Sequence, residues 1–353
     1  MTPEPQSSGA VEARGRRRLV TGARRFFLPS EDRRLVSEME DGLAEVERRL
    51  LAAANSADTV ADACTRYLVD AGGKRVRPLL ALLAAELGDG IGDRVVDGAV
   101  TVELTHVASL YHDDVMDEAE TRRSVTSAHR VWGNNAAILA GDILFAQASL
   151  IASGLGSEAI RLQAETFHRL CLGQLHETLG PQEADDPVDH YLRVLGDKTG
   201  SLIAEAGELG VVLGGAPESY RAPIREFGEC IGVAFQLVDD VIDLRSSSEE
   251  LGKTPGTDLR EGVPTLPWLL LQRQARNDPE AARTRDRITE LLADDATMDE
   301  ALALLAAHPV TDEALAQARA WADRAVAALD ALPAGHVRDL FGRLAEYIVN
   351  RRH

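Results

Sequence analysis

Leu104-Thr105-His106-Val107-Ala108-Ser109-Leu110-Tyr111-His112-Asp113-Asp114-Val115-Met116-Asp117 is an apolar run that ends in aspartates. A second run, Ile231-Gly232-Val233-Ala234-Phe235-Gln236-Leu237-Val238-Asp239-Asp240-Val241-Ile242-Asp243, repeats the pattern. Neither alternates like a strand, and both have apolar residues at helical spacing. In each cluster the first and last Asp are four apart, so on an α-helix they project from one face toward a common target. Carboxylates crowded among Val, Leu, Ile and Met repel one another and take up protons unless a cation neutralises them. Oxygen-only ligands favour a hard ion such as Mg²⁺, which binds through one or two carboxylates plus substrate phosphates. A single such cluster also fits a solvated acidic helix face. Two copies with apolar flanks argue against that reading.

The rest of the composition agrees with helices. Of 353 residues, 45% are hydrophobic and only 4% aromatic, with Ala and Leu abundant, which favours helix over sheet and supplies a large core. The fold class expected is all-α. A net charge of −19 argues against nucleic-acid binding, which needs a broad basic surface to neutralise phosphates. Cys64, Cys171 and Cys230 are odd in number and widely spaced, the pattern of buried thiols in a reducing cytoplasm rather than disulfides or zinc ligands. No uninterrupted apolar stretch reaches the length of a bilayer span. Residues 1–31, rich in Pro, Ser and Arg and lacking an apolar signal core, read as a disordered basic tail. A transient contact of that arm with anionic lipid is the alternative.

From Asp32 onward the chain reads as one all-α domain, 32–353, of successive helices. The expected bounds are 32–53, 57–71, 76–88, 93–118, 129–153, 157–179, 187–214 and 218–245. They continue at 264–276, 279–293, 297–306, 311–331 and 336–350, with Gly214-Gly215-Ala216-Pro217 as a clear stop. Two long connections, Ala119–Ala128 and Ser246–Val263, each follow an aspartate cluster. The first carries Arg122 and Arg123, and the second carries Lys253, so both are expected to be mobile basic lids over phosphates. Gly72-Gly73-Lys74-Arg75-Val76-Arg77-Pro78 puts a glycine turn before a helix start, with Lys74 and Arg77 one turn apart, and makes a credible anion cradle. A helix cap with solvated charges is its plainer reading.

Taken together these elements keep one order: GGKxxRP, DDxxD with its Arg pair, the run ending Ala140-Gly141-Asp142, Lys198-Thr199, Phe235-Gln236, the second DDxxD, and Gly252-Lys253. The set resembles the trans-isoprenyl diphosphate synthases, the polyprenyl synthetase family, from about residue 35 to the C-terminus. The resemblance implies an isoprenoid synthase helical bundle around a deep central cavity, with the two acidic motifs facing each other across its mouth. It implies a prenyltransferase that condenses isopentenyl diphosphate with an allylic diphosphate. By this resemblance Asp113, Asp117 and Asp239 are the main ligands of about three Mg²⁺ ions, supported by Asp114, Asp240 and Asp243. Arg122, Lys198 and Lys253 hold the allylic diphosphate, while Lys74, Arg77, His106 and Arg123 hold isopentenyl diphosphate. Lys198, Thr199, Phe235 and Gln236 flank the developing cation.

The resemblance also implies that Ala108 and Ser109, five and four residues before Asp113, face the tunnel that receives the growing chain. Both are small, so the expected product is a medium- to long-chain all-trans polyprenyl diphosphate such as a quinone side-chain precursor, with geranylgeranyl diphosphate as the alternative. Homodimers and a cytoplasmic location follow from the same likeness. Two positions depart from the family pattern: Val263 where a Lys is frequent, and Ser124 where a Gly is frequent. Ser124 is expected to alter loop flexibility only. A terpene cyclase would need no isopentenyl site, a non-catalytic regulatory subunit commonly loses one Asp motif, and a metal-binding scaffold leaves the basic residues unexplained.

Overall fold

A computed structural model describes residues 33–245, 256–260 and 262–351. The segment read as a basic tail and the proposed phosphate ligand Lys253 lie outside the described residues. In chain order the elements are α1 (Arg33–Ala54), α2 (Thr59–Asp70), α3 (Val76–Ala85), α4 (Asp93–Met116), strands β1 (Thr121–Arg122) and β2 (Val125–Thr126), α5 (Ala128–Trp132), α6 (Asn134–Gly154) and α7 (Ser157–Leu179). There follow α8 (Pro187–Leu195), α9 (Ser201–Leu213), α10 (Arg221–Arg245), the single turn α11 (Thr257–Arg260), α12 (Leu266–Gln274), α13 (Pro279–Leu291), α14 (Met298–Ala307), α15 (Pro309–Ala328) and α16 (His336–Asn350). The all-α expectation is met. Asp58, Asp186 and Asp278 cap α2, α8 and α13 with side-chain bonds to the first free amides, and prolines follow the latter two.

The described chain falls into two compact units. One comprises the chain up to His168 together with Leu202–Arg225 and Ala331–Leu340. Its axis is α4, whose Val96, Ala99, Val100, Leu104, Val107 and Tyr111 are all buried. Fully burying each large apolar side chain contributes about 1.5–3 kcal/mol, so the helix is fixed along its length. Near its end one strip stays open: His106, Ser109, Leu110 and Asp113 keep part of their surface, and Met116 and Asp117 are exposed, while His112 and Val115 beside it are half-buried. Small residues of α6, among them Ala137, Ala140, Gly141 and Ala148, are buried on the face that packs along α4. Gly141 is required there, because a Cβ would stand 2.4 Å from the His112 Nε2 and 3.1 Å from the Ala108 carbonyl oxygen. By length and composition alone α6 could cross a membrane, a point hidden from a search for uninterrupted apolar runs because Asp142 breaks it.

The other unit comprises Arg169–Ser201, Glu226–Asp330 and the chain from Phe341. Its core joins Leu195 of α8, Leu237 and Val241 of α10, Leu270 of α12, Ile288 of α13 and Leu305 of α14. The predicted helix 187–214 is interrupted by a π turn, Gly196–Gly200. The extra residue bulges the backbone at Lys198 and Thr199 without ending the helix. Arg169 pins this turn by pairing with Asp197 at 2.8 Å and with Glu229 at 2.6 Å.

Three expectations are corrected. Helix 129–153 is broken into α5 and α6 at Gly133, whose φ of +86° suits glycine. Cys64 and Cys230 are buried, but Cys171 is exposed because it shares an α7 face with exposed Leu175 and Leu179, four and eight residues on. The connection after the first acidic cluster, expected as a loop without secondary structure, holds a short antiparallel hairpin with Thr121 paired with Thr126 and Arg122 with Val125.

Candidate active site

In the first unit the hairpin and α4 form one electrostatic assembly. Arg123 and Ser124 occupy the turn with φ of +53° and +65°, the left-handed pair that a two-residue hairpin needs. The turn aims its neighbours inward. Arg122 Nε donates to Asp114 Oδ1 at 2.6 Å, and Arg123 Nη1 donates to the Leu68 carbonyl at 2.8 Å. Asp114 is fully buried and its Oδ2 has no hydrogen-bond partner. Burial raises its pKa, opposed by Arg122. Asp113 and Asp117, by contrast, lie on the open strip of α4.

Two turns back along that strip, His106 sits among arginines. Burial, followed by Arg77, Arg123, Arg75 and Arg122, holds its pKa well below the usual histidine range, so the imidazole is neutral at physiological pH. Burial likewise lowers Arg77, against the pull of Glu103, and takes Arg123 down to about 10. The Arg77 Nε is buried without a partner. Among the described residues Arg123 has only Glu103 as an anionic partner, at 3.7 Å, a carboxylate that already pairs with Arg75 at 2.8 Å, so these cations share one buried anion, and a diphosphate would supply more.

Not every arginine of the cradle is available. Arg75, in the left-handed region at φ +50°, turns its side chain inward to Glu47 at 2.7 Å and Glu103 at 2.8 Å. It is a buried tie between α1, the glycine turn and α4, and it leaves Lys74 exposed and Arg77 half-buried, near enough to His106 to act on it electrostatically. Glu103 could have been found in the sequence as the one acid inside Val100–Leu104. Ser109 stands on the open strip, whereas Ala108 is completely buried. His112 is fixed beside the acidic cluster by the Ile138 carbonyl at 3.0 Å and by Asp142 at 3.4 Å.

In the second unit the acidic cluster of α10 is held by different chemistry. Tyr191 donates its hydroxyl to Asp240 Oδ2 at 2.5 Å, and Asp240 and Asp243 are buried. Asp239 keeps 40% of its side-chain surface and pairs with Arg351 at 2.5 Å. The same guanidinium lies over the Phe235 ring, 3.9 Å from its centroid, and donates to the Phe235 carbonyl at 2.9 Å. Lys198 pairs with Glu177 at 2.5 Å, and Thr199 completes the bulged turn. Gln236 precedes the cluster on α10, half-buried. Sequence reading missed Tyr191, Glu177 and Arg351; all three reach the site from distant parts of the chain.

The donor set fits a hard divalent ion. Each cluster offers only carboxylate oxygens, and Asp114 holds one of them buried and unpartnered. Among the described residues no group of three or more His, Cys, Asp or Glu side chains forms a ready-made cage. A metal that arrives with phosphates requires only one or two carboxylates from the protein.

Comparison with known proteins agrees with this geometry. The profile of the family described as Polyprenyl synthetase matches residues 58–305. Nonaprenyl diphosphate synthase of Mycobacterium tuberculosis is 44% identical over 315 residues, covering 88% of this chain and 92% of that one. Among solved structures, geranylgeranyl pyrophosphate synthase of Corynebacterium glutamicum, complexed with calcium and isoprenyl diphosphate, has a TM-score of 0.80 at 42% identity, over 90% of this chain and 98% of its own. Polyprenyl synthase of Caulobacter crescentus, in complex with the same pair of ligands, has a TM-score of 0.81 at 34% identity, over 91% and 98%.

Proposed function

Because this chain belongs to the polyprenyl synthetase family, we propose that its two acidic clusters and its arginine pocket together elongate an allylic diphosphate with isopentenyl diphosphate, residues 32–353 working as one functional domain. The chain is a prenyltransferase that makes medium- to long-chain polyprenyl diphosphates, as its relatives named for nonaprenyl and octaprenyl products do. Divalent metal goes with the family fold, and Mg²⁺, in about three ions, is the proposed choice.

One observation carries the division of labour. His106 and Asp113 share one face of α4 seven residues apart, about 10 Å along the axis at 1.5 Å per residue. A basic pocket and an acidic cluster at that spacing suit two diphosphates bound in different ways. Lys74, Arg77, His106 and Arg123 take isopentenyl diphosphate directly. Asp113 and Asp117, with Asp114 in support, take the allylic diphosphate through Mg²⁺, and Arg122 contacts its oxygens. By family likeness Asp239, Asp240 and Asp243 are the remaining metal ligands, with Lys198 and Lys253 for the phosphate.

Ionisation of the allylic C–O bond leaves a delocalised cation and pyrophosphate. When bound, Mg²⁺ supplies Lewis acidity that stabilises the departing negative charge. Arg122 and Lys198 add a preorganised clamp on the same charge. Thr199, Gln236 and the carbonyls of the bulged turn present oxygen dipoles to the cation, Phe235 presents its ring, and none is a strong nucleophile. The isopentenyl double bond then attacks, and released pyrophosphate takes the proton. Neutral His106 can donate one N–H to a phosphate oxygen and gains affinity for a proton once the anion is in place.

The product chain is proposed to descend past Ser109. Ser109→Phe should shorten the product. Ala108→Phe overpacks a sealed site instead and costs about 1–3 kcal/mol of stability. Chain-length analysis of both variants, with thermal melting of the second, checks this. A homodimer is supported by α6, whose Ile138, Leu139, Ile143 and Leu150 are exposed on a helix otherwise fitted to α4. The three free cysteines agree with a reducing, cytoplasmic setting. Transient contact with a membrane surface would serve release of so apolar a product. Incubation with Mg²⁺, isopentenyl diphosphate and each allylic starter, followed by product analysis, tests the whole reading. Polyprenyl products of increasing length are expected; cyclic products or none would refute it.

A further inference from the structure

Arg351 lies just after the end of α16, in a chain segment that no acidic-motif reading touches. Its side chain is nevertheless only 7% exposed. Three contacts hold it: the ion pair to Asp239 Oδ1 at 2.5 Å, the bond to the Phe235 carbonyl at 2.9 Å, and the stack over the Phe235 ring. The helix behind it is anchored within the same unit, with Phe341 packed edge-on to Phe227 at 5.1 Å and Val349 against the core. The guanidinium is therefore delivered to α10 by a fixed support. Its Nε is buried with no partner, so the arginine is not fully satisfied by the contacts it makes.

We infer that Arg351 is a positioning residue that competes with divalent metal for Asp239 and so sets how tightly that carboxylate binds the ion before diphosphate arrives. The inference rests on Asp239 being a metal ligand, as proposed above. An Mg–O bond of about 2.0–2.1 Å leaves no room for a guanidinium on the same lone pair, and two cations on one carboxylate repel. Metal must displace Arg351 from Oδ1 or share Asp239 with it at a cost. A displaced guanidinium, still tethered by α16 and short of one hydrogen bond, is a ready partner for a diphosphate oxygen. Metal alone is then bound weakly, and metal with diphosphate is bound well. Stacking on Phe235 adds a second consequence: the ring face that Arg351 covers is freed when the ion pair opens.

Mn²⁺ serves as the probe, titrated by electron paramagnetic resonance into the full-length protein, first alone and then with inorganic pyrophosphate. Relative to the wild type, Arg351→Gln should bind Mn²⁺ alone about five- to tenfold more tightly, the scale of one partly exposed ion pair. With pyrophosphate present the advantage should vanish or reverse. Arg351→Lys keeps the charge but not the fork or the stack, and should fall between. If Arg351→Gln folds poorly, as thermal melting would reveal, Arg351→Lys carries the test by the same direction of change. Unchanged Mn²⁺ affinity in the arginine variants, with binding reduced in Asp239→Asn, would overturn the inference and leave the metal assignment standing. Unchanged affinity in Asp239→Asn would remove the assignment itself.

Discussion

The two aspartate clusters have the same spacing and are built differently. On α4 the middle carboxylate, Asp114, is held by Arg122 from a hairpin only eight residues away. On α10 its counterpart, Asp240, accepts a hydrogen bond from the hydroxyl of Tyr191, and the first aspartate, Asp239, pairs with Arg351, 112 positions further along the chain. In each the second aspartate is sealed and structural in bearing, while the first stays partly open. The shared motif therefore describes where carboxylates stand, and the side chains that reach them differ from one cluster to the other. An arginine paired with a buried carboxylate ties a local loop to its helix. An arginine paired with a half-exposed one can be exchanged for another cation.

The largest effects should be alike in the two clusters. Asp113→Ala and Asp239→Ala each remove an open carboxylate and are expected to lower kcat by roughly a thousandfold, the rate equivalent of several kcal/mol of lost charge stabilisation. Steady-state kinetics at saturating Mg²⁺ and substrates measures this. A loss confined to one cluster would mean that only one of them serves the metal.

Replacing the partners of the sealed aspartates should separate the clusters. Arg122→Ala leaves Asp114 buried and unpaired, and removal of one partner of such a pair costs about 3–5 kcal/mol, reduced here because Arg122 retains 31% of its side-chain surface. Tyr191→Phe removes one hydrogen bond from buried Asp240, with a cost of about 1–3 kcal/mol. Urea denaturation compares the two. Equal losses would show that charge matters no more than a hydroxyl at these sites.

This contrast also explains what the sequence disclosed. Asp113, Arg122 and Arg123 fall within one short segment, so spacing alone placed them together. The helices were legible from apolar periodicity, down to the stop at Gly214-Gly215. The π turn at Lys198 was not, because it keeps the helical pattern and only shifts its phase. Nor was the hairpin: Arg123 and Ser124 are poor residues for left-handed backbone, and the glycine that would signal such a turn is missing. Arg351 and Tyr191 lay beyond reach because their partners are fixed by tertiary packing, 112 and 49 positions away in the chain.

Another buried carboxylate, outside both clusters, shows what happens without a counter-charge. Glu205 on α9 is 2% exposed, and burial, with Glu208 adding to it, pushes its pKa up to about 8. Its folded pKa exceeds the unfolded one of about 4.5, so the unfolded chain releases its proton first. Its destabilising effect is absent below that unfolded value and grows until the pH passes 8. Glu205→Gln should therefore leave Tm almost unchanged near pH 4.5 and raise stability by on the order of 4 kcal/mol at pH 8, climbing by at most about 1.4 kcal/mol per pH unit between. Thermal melts across that range check it. A gain independent of pH would show that Glu205 is ionised in the folded protein.

The smallest expected effect concerns the hairpin that makes the first cluster local. Ser124 sits at φ +65°, where a side chain costs about 1–2 kcal/mol and glycine costs nothing sterically. Glycine also gives back entropy to the unfolded chain, so the net gain of Ser124→Gly should be near 1 kcal/mol. The hairpin itself is held by Arg122 on Asp114 and by Arg123 on the Leu68 carbonyl, and neither bond involves Ser124. Stability should rise while the affinity for isopentenyl diphosphate stays the same. Calorimetric melting and a substrate titration read the two separately. A change in affinity would mean that backbone strain at Ser124 is used to aim Arg123, and that the tie of the first cluster depends on the turn as well as on its charges.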